Sequence, residues 1–381
     1  MKETIYSKIL GTDLPKKLLY FWLGGLVARL IAINFAGVAP DYTGYRLPIA
    51  QCINEEVWLY CECTYNHTPF YPYLSAALFW LAGSSEFLQV FFINLPLGIG
   101  DALVPVALYL LFVRIKDQNF AFKLSAIYAL NPISLIEVAI SHWDGFTLLF
   151  LILGLLAMDK KQNLKVGLWT GLGFLLKQFP LGLLPVFLFK TKKLGASIIV
   201  GIVTLLVIVG VFLPFIWHCP ETFVENLLSH PLWQGASSEE VGIGTLKNVF
   251  DHLSVPYSKI VWGVIFLALL VVPSIKANNK NYIYYAGILM VTLAFFTFVT
   301  HRQLLIWCMP FVVLITLERK AYIPFVLLFV GYAIRIIKPD WYFGFIHLGV
   351  GVWYYWALFQ KMLSINADPD QMSERSKWSL L

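Results

Sequence analysis

Residues 39–73, APDYTGYRLPIAQCINEEVWLYCECTYNHTPFYPY, form the first long polar stretch of the chain, and apolar runs precede and follow it. The stretch contains the acids Asp41, Glu55, Glu56 and Glu62, three of the five cysteines and a histidine. A polar segment between two apolar runs is typical of a loop outside a membrane. We therefore expect residues 39–73 to cap a membrane-embedded helical core and to contribute to its chemistry.

The composition of the chain is that of a membrane protein. Of the 381 residues, 59% are hydrophobic, 16% aromatic and only 13% charged, and the mean hydropathy is +0.72. A soluble domain has about 25% charged residues. The net charge is +6, but the basic residues lie in short runs between apolar segments, which is typical of the positive-inside rule and does not indicate a nucleic-acid partner. The polar N-terminus lacks the core of a signal peptide, so we interpret the first apolar run as a retained helix.

Apolar runs that can cross or enter a membrane follow one another along the chain. They predict an all-α fold, a polytopic transmembrane helical bundle of about 10 to 13 membrane segments with a long first extracytoplasmic loop. Residues 1–363 are expected to form a single transmembrane domain, with external loops at 39–73 and 217–257, and residues 364–381 a polar cytoplasmic tail. The runs are 18–38, 69–83, 87–113, 124–140, 146–158, 165–176, 181–189, 194–216, 258–274, 281–299, 303–317, 321–337 and 342–363.

The distribution of basic residues predicts the topology. If the N-terminus is cytoplasmic and the run 69–83 enters the membrane without crossing it, most of the 28 Lys and Arg residues lie in cytoplasmic segments. If 69–83 crossed, the basic clusters around Arg114 and Lys160 would lie outside. We therefore expect the less basic polar segments to share the extracytoplasmic face: 39–73, 141–145, 177–180, 217–257 and 300–303.

Three charged residues, Arg29, Asp101 and Glu137, interrupt apolar runs. Counted along their helices they lie at similar depth, roughly 17 to 20 Å from the cytoplasmic face. Charges inside a membrane are costly and are functional candidates by default, so a proton relay is one interpretation. A structural ion pair that holds three helices together is the other. We favour the ion pair, because the sequence shows no two matching halves with interrupted helices, as a transporter relay would require.

Asp41 directly follows the first helix, where a carboxylate can stay ionised and still reach a lipid-borne substrate. It could act as a general base on an attacking hydroxyl or help to hold a divalent metal. The alternative is an acidic residue that caps a short helix at the membrane surface.

The remaining candidates lie at helix ends on the same predicted face. His142 and Asp144 share a turn and could face one cavity, or Asp144 could cap a helix beside an interfacial Trp143. Lys177 could neutralise a phosphate or snorkel to the membrane surface. Arg302, next to His301, could bind a phosphate with two hydrogen bonds or anchor the helix at the interface. Two cations, Lys177 and Arg302, without a second acid indicate an anionic ligand, most simply a lipid phosphate.

Cys61-Glu62-Cys63 together with His67 has the residue types of a metal site. The Cys-x-Cys spacing is a weak signal for structural zinc, which usually uses two paired halves. Disulfides or free thiols are the alternative, and disulfides require an oxidising compartment. The sequence does not define how Cys52, Cys61, Cys63 and Cys219 pair.

The order of several motifs resembles a known family. After the Pro-Asp of the first external loop come TPFYPYLSAAL at 68–78, NPISLIEVAISHWDGFTLLFLILGLLA at 131–157, GFLLKQFPLGLLPVFLF at 173–189 and HRQLLIWCMPFV at 301–312. This order is similar to that of the integral-membrane C-type (GT-C) glycosyltransferases over residues 18–317. The resemblance is to the polyprenyl-phosphate-mannose-dependent mannosyltransferases, including the GPI mannosyltransferase type and its prokaryotic relatives.

The resemblance implies a multi-helix bundle with an active site on the non-cytoplasmic face and an inverting transfer from a polyprenyl-phosphate sugar. Asp41 matches the position of the family's first-loop acid, to which a base or acid-positioning role is assigned. His142, Asp144 and Lys177 match family motifs that face the cavity. Several relatives have Asp-x-Asp in this loop, whereas Tyr42 and Thr43 follow Asp41 here. A divalent metal is therefore not favoured, and no cofactor is expected.

The expected function is that of a membrane glycosyltransferase. It would transfer a sugar, with mannose as the first candidate, from a polyprenyl-phosphate carrier to a hydroxyl of a glycan or lipid-linked acceptor, in contact with membrane lipids. Asp41 would accept the proton, and Lys177 or Arg302 would offset the charge of the leaving phosphate. The alternative is a flippase or secondary transporter of lipid-linked sugars, for which the buried Arg29, Asp101 and Glu137 argue.

Overall fold

The structure is a computed structural model, and it describes residues 13–39, 42–55, 58–65, 67–228, 257–296, 302–337 and 342–366. Helices make up most of these residues, and the described chain has no β-strand beyond an isolated bridge between Leu59 and Cys63. The predicted all-α, multi-helix fold is confirmed.

The helices of the first half of the described chain follow the predicted apolar runs closely. A 3₁₀ segment (Ile33–Val38) extends the first helix, and a π-helical turn (Tyr42–Arg46) precedes the second. The helices are α1 (Asp13–Ala32), α2 (Leu47–Asn54), α3 (Phe70–Ala82), α4 (Glu86–Phe112), α5 (Gln118–Ala129), α6 (Pro132–Ala139), α7 (Asp144–Asp159) and α8 (Asn163–Phe174).

The second half continues in the same way, with 3₁₀ turns at Phe179–Gly182 and Arg302–Leu304 before two of the helices. The last helix continues to Asn366, beyond the predicted start of the tail, and residues 367–381 and most of the loop 217–257 lie outside the described chain. The helices are α9 (Leu183–Thr191), α10 (Leu194–His218), α11 (Pro220–Leu228), α12 (Ser258–Lys276), α13 (Tyr282–Phe295), α14 (Leu305–Arg319), α15 (Tyr322–Ile337) and α16 (Tyr342–Asn366).

One predicted run, 124–140, is divided into two helices, α5 and α6. Asn131 ends the first and begins the second, because its side-chain oxygen accepts a hydrogen bond from the Ile133 amide at 3.0 Å. Pro132 occupies the first position of α6, where its missing N–H is not needed. After this break the chain forms α6, which ends at Ala139, and the loop 140–143 that contains His142 follows directly.

By length and composition, three helical segments of the described chain can each cross a membrane: Glu86–Phe112, Gln118–Ala139 and Leu194–His218. Several other apolar helices are shorter. Helix α3, the predicted run 69–83, has 13 residues. It is therefore about 20 Å long, less than the roughly 30 Å of a hydrocarbon core. This length agrees with a segment that does not cross, while the topology itself stays a prediction.

The core of the bundle surrounds the long helix α4, which packs against α1, α3, α5 and α7. Ser85 caps α4, and its hydroxyl accepts a hydrogen bond from the Leu88 amide at 3.4 Å. Helices α13 and α14 are buried on nearly all sides and belong to the same apolar cluster. Helix α10 instead exposes most of its apolar residues, as expected of a helix that faces lipid.

Candidate active site

The centre of the candidate site is the carboxylate of Asp144, the first residue of α7, which is fully buried. Lys177 donates hydrogen bonds to both carboxylate oxygens, at 2.9 and 2.7 Å, and the indole N–H of Trp307 donates to Oδ1 at 2.6 Å. Two residues predicted from separate motifs, Asp144 and Lys177, are therefore in direct contact. Trp307, on α14, was not predicted.

The turn after α8 positions Lys177. The Lys177 amide donates to the Gly173 carbonyl at 3.0 Å, which closes the end of the helix. Phe179, in the following 3₁₀ turn, stacks on Trp307 with ring centroids 4.3 Å apart. The motif 173–189 and the helix that follows His301 thus form one wall around the Asp144 carboxylate.

A second cation, Arg46, lies close to this centre and was also not predicted. Its side chain is only 4% exposed, and its guanidinium lies 4.6 Å from the ring of Trp143 and 5.0 Å from that of Tyr71. Its side-chain hydrogen bond is to the Tyr71 hydroxyl, at 3.3 Å, and within the described chain it has no carboxylate partner. The sequence signal is present, since Arg46 is the single basic residue of the stretch 39–73.

The ring of Trp143 connects the two cations, because the Lys177 ammonium also lies 5.8 Å from it. The indole N–H of Trp143 and the hydroxyl of Tyr42 are buried donors that have no hydrogen-bond partner within the described chain. Burial raises the pKa of Tyr42 to about 12, so its hydroxyl stays protonated and able to donate. A ligand or a water molecule could complete both donors.

Two disulfides fix the first loop above this centre. Cys52 pairs with Cys63 inside the loop, and Cys61 pairs with Cys219 at the end of α10. The sequence had left this pairing open. Because Cys61 and Cys63 are both used in disulfides, neither offers a thiolate to a metal, and the Cys61-Glu62-Cys63 segment is a staple.

The stapled loop contacts the site directly. The ring of His67 lies 5.6 Å from that of Trp143, edge to face, and the Thr68 hydroxyl donates to the Leu176 carbonyl at 3.0 Å. Asn226 of α11 joins the second loop to the first, since its side chain donates to the Tyr60 carbonyl at 3.0 Å. The first loop, the end of α8 and α11 therefore form one connected surface.

Arg29 and Asp101 form a fully buried salt bridge, with Nε and Oδ2 2.5 Å apart. The guanidinium also donates to the carbonyls of Gly25 and Ala129, at 3.0 and 2.9 Å, and to the Ser134 hydroxyl at 2.9 Å. Helices α1, α4, α5 and α6 thus meet at one hydrogen-bonded charge pair.

Glu137 was predicted as a third member of this pair, and the structure places it elsewhere. It is fully buried, and its two carboxylate oxygens are bonded to Nδ1 of His142 and to the hydroxyl of Tyr332. Ser134 occupies the position on α6 that faces Arg29, and Glu137 lies one turn further along, at the end of the helix. The ion pair therefore has two members, and Glu137 belongs to the surroundings of His142.

Three predicted site residues are not characterised by the structure. Asp41 and His301 lie outside the described residues. Arg302 begins the 3₁₀ turn before α14, and its side chain is outside the described part of the structure. Their proposed roles stay predictions.

Within the described residues, no group of three or more His, Cys, Asp and Glu side chains is arranged to hold a metal ion. The expectation that the protein uses no cofactor stays a prediction.

A match to a glycosyltransferase family, together with the fold, identifies the chain as an integral-membrane glycosyltransferase of the GT-C type. The fold is similar to that of ArnT from Cupriavidus metallidurans, solved bound to undecaprenyl phosphate, with a TM-score of 0.53. The two sequences are 14% identical, and the match covers 91% of this chain and 77% of that chain.

The family follows from the sequence. The model of glycosyltransferase family 87 matches residues 70–297, and the chain belongs to that family. None of the curated proteins matches this chain.

Proposed function

We propose that this protein transfers a sugar from a polyprenyl-phosphate carrier to a hydroxyl of a glycan or lipid-linked acceptor, with inversion at the anomeric carbon, and that mannose is the sugar. Membership of glycosyltransferase family 87 supports the transfer reaction. ArnT, whose fold is similar, was solved with undecaprenyl phosphate, which supports a lipid-phosphate carrier here. The observation that carries the proposal is that Arg46 is buried and has no carboxylate partner within the described chain.

A buried guanidinium without a counter-ion is unfavourable, because desolvation costs several kcal/mol per ion. The rings of Tyr71 and Trp143 offset part of this by cation–π attraction, worth about 2 kcal/mol when desolvated. An anion that binds Arg46 would supply the missing charge. A phosphate also has oxygens to accept from the unpartnered Trp143 N–H and Tyr42 hydroxyl.

Lys177 was the first predicted phosphate contact, but Asp144 already neutralises its charge. We therefore assign the primary phosphate contact to Arg46 and keep Lys177 and Arg302 as secondary contacts. Asp41, near the start of the same loop, is assigned as the base that receives the proton of the acceptor hydroxyl. The hydroxyl oxygen attacks the anomeric carbon, and the electron pair of the breaking C–O bond goes to the phosphate.

We assign the active site to the extracytoplasmic face. Disulfides persist in oxidising compartments and are rare in the cytosol. The loop that Cys52, Cys61, Cys63 and Cys219 staple is the one that contacts Trp143. The same face follows from the positive-inside rule applied to the sequence.

The transporter alternative loses its main support. It depended on Arg29, Asp101 and Glu137 as a set of intramembrane charges. Arg29 and Asp101 satisfy each other together with backbone and hydroxyl partners, which is the arrangement of a structural pair.

The proposal is tested with purified protein, polyprenyl-phosphate-mannose and a panel of lipid-linked and glycan acceptors. Arg46→Gln removes the charge, and we expect the KM for the donor to rise roughly 10- to 150-fold, the value of a charged hydrogen bond. Arg46→Lys should lose less. Arg114→Gln is the control for removing an arginine charge near a helix end, since Arg114 pairs with Asp159 away from the site. Asp41→Asn should lower kcat.

Several outcomes would contradict the proposal. Equal donor KM values for wild type and Arg46→Gln would refute the phosphate contact. Undiminished transfer by Asp41→Asn would refute the assigned base. Accumulation of the lipid-linked sugar in proteoliposomes without a covalent product would favour the transporter instead.

A further inference from the structure

Lys190 is a buried cation far from the candidate active site. It lies in the last turn of α9 and is 8% exposed, and its ammonium lies 3.9 Å from the centroid of the Tyr282 ring. It donates a hydrogen bond to the Met158 carbonyl at 2.7 Å. No carboxylate of the described residues lies within salt-bridge distance of it. Because an ammonium has three N–H donors, Lys190 has donors left for a ligand.

The end of α7 brings a second basic residue, Lys161, to this position. The chain leaves α7 through Lys161, whose φ of 56° is left-handed, and the Lys161 amide donates to the same Met158 carbonyl at 3.1 Å. The Gln162 amide donates to the Ala157 carbonyl at 2.9 Å, and the two bonds together form a Schellman motif. Since one carbonyl accepts from both lysines, the backbone of Lys161 lies next to the ammonium of Lys190.

The charges around Lys190 do not balance. Arg114 and Asp159 form an ion pair whose side chains are 28% and 23% exposed, so water reaches this part of the cluster. Asp159 attracts the Lys190 ammonium and Lys161 repels it, and both members of the ion pair act on Tyr282 beside it. Three cations thus share one carboxylate, which leaves two positive charges in excess.

The hydroxyl of Tyr282, the first residue of α13, is a buried donor without a hydrogen-bond partner within the described chain. Asp159 acts on it electrostatically but lies outside hydrogen-bonding geometry. A buried donor without a partner is unfavourable. Because the Lys190 ammonium lies over the ring that bears this hydroxyl, one phosphate group, with several acceptor oxygens, can accept from both.

Apolar residues that face lipid lie on the helices next to the cluster. Helices α8 and α10 pack against α9, and near their starts they expose Leu164, Leu194 and Ile198 by 65%, 70% and 51%. The positive-inside rule predicts that this end of the bundle is cytoplasmic. The cytoplasmic leaflet contains anionic lipids, and basic pockets between membrane helices bind their headgroups.

We propose that Lys190, Lys161, Arg114 and the Tyr282 hydroxyl bind the phosphate of an anionic phospholipid headgroup, whose acyl chains lie along α8 and α10. A free phosphate ion has the same chemistry, so the experiment separates the two sources. The site is distinct from the candidate active site, because Met158 lies 14 residues after Asp144 on α7, roughly 21 Å along the helix. A bound headgroup joins the ends of α7 and α9 to the start of α13 and therefore stabilises the bundle.

The experiment measures thermal unfolding of the full chain in a non-ionic detergent with added phosphatidylglycerol, phosphatidylcholine or inorganic phosphate. A ligand that binds only the folded protein raises the melting temperature, and we expect this for phosphatidylglycerol alone. Lys190→Met removes the charge and keeps an apolar stem, so the apparent Kd for phosphatidylglycerol should rise roughly 10- to 150-fold. Tyr282→Phe keeps the ring beneath the ammonium but loses the hydroxyl, and the Kd should rise roughly 2- to 10-fold. Lys123→Met, at an exposed lysine of α5, is the matched control and should bind as wild type does.

The outcomes separate the site from its ligand. Protection by inorganic phosphate and not by phosphatidylglycerol, lost in Lys190→Met, would support the phosphate site and overturn the lipid as its occupant. Equal protection by both lipids, or a phosphatidylglycerol effect unchanged in Lys190→Met and Tyr282→Phe, would overturn the site.

If Lys190→Met does not purify as a folded protein, Tyr282→Phe and Lys161→Gln decide, since neither removes a side-chain hydrogen bond found within the described chain. Wild-type affinity for phosphatidylglycerol in both variants would then overturn the site. None of these measurements uses sugar transfer, so their failure leaves the proposed function intact.

Discussion

Replacing Lys177 with Met tests whether this lysine serves structure or chemistry. In the native site, Asp144 is fully buried and accepts two hydrogen bonds from Lys177 and one from Trp307. The variant leaves a buried carboxylate with a single donor, and the removal of one partner of a buried ion pair costs about 3–5 kcal/mol. Asp144→Asn leaves the partly buried ammonium of Lys177 without its partner and should cost less, because that side chain is 15% exposed.

The double variant Asp144→Asn/Lys177→Met removes both charges, and the Asn side chain can still accept from the Trp307 indole. It should therefore recover much of the loss, with a coupling energy of up to about 3 kcal/mol in a double-mutant cycle. Thermal unfolding in detergent measures the stability of all four proteins. Single variants as stable as wild type would refute the buried pair.

Sugar transfer by the same four proteins separates the two roles of Lys177. If Lys177 also contacts the phosphate, the double variant regains stability but not activity. If the double variant regains both, Lys177 serves only to neutralise Asp144, and its assignment as a secondary phosphate contact is wrong.

Three further predictions concern the loop, the helix contact and the indole. Cys219→Ser should lower the free energy of unfolding by about 2–4 kcal/mol, because it removes a disulfide. It also frees the thiol of Cys61, which a membrane-impermeant maleimide should label from outside intact cells. Labelling only after permeabilisation would contradict the assigned face. In Gly145→Ala the added Cβ would lie 2.0 Å from Oδ1 of Asp101. We expect this overpacking to lower the free energy of unfolding by about 1–3 kcal/mol. An unchanged melting temperature would argue against the close contact. Trp143→Phe keeps an aromatic ring but loses the indole N–H, so the donor KM should rise roughly 2- to 10-fold, and an unchanged KM would remove this donor from the site.

The fold was predictable because a helix that lies in a membrane requires a long run of apolar residues, and such runs are visible in the sequence. Nearly every predicted run corresponds to a helix, and the one that does not, 124–140, is divided at Asn131 and Pro132 by capping and by the missing proline N–H. Local chemistry of this kind can be read from the sequence. The disulfides of the first loop could be predicted only in part. Four cysteines allow three pairings, and the pairing that forms depends on distances in the folded chain, which the sequence does not give.

The candidate site was harder to predict because its polar contacts join residues far apart in sequence. Asp144 and Lys177 were both chosen, but their contact was not foreseen, and Trp307 gives no signal that distinguishes it from an interfacial aromatic. Glu137 was grouped with Arg29 and Asp101, whereas in the structure it contacts His142 and Tyr332. The sequence allows the depth of Glu137 along its helix to be estimated, and that depth grouped it with Arg29. Depth does not tell which way a side chain points around the helix axis.

Arg29, Lys177 and Arg46 differ in how their charge is balanced, and that difference supports the proposed function. Arg29 has Asp101, with hydroxyl and carbonyl partners around it, so it needs nothing further. Lys177 has Asp144. Within the described chain Arg46 has the ring and hydroxyl of Tyr71 and the ring of Trp143 but no anion, and the indole N–H of Trp143 has no partner there. Because a buried charge without a counter-ion is unfavourable, we propose that the phosphate of the carrier lipid supplies the anion that Arg46 lacks within the described chain.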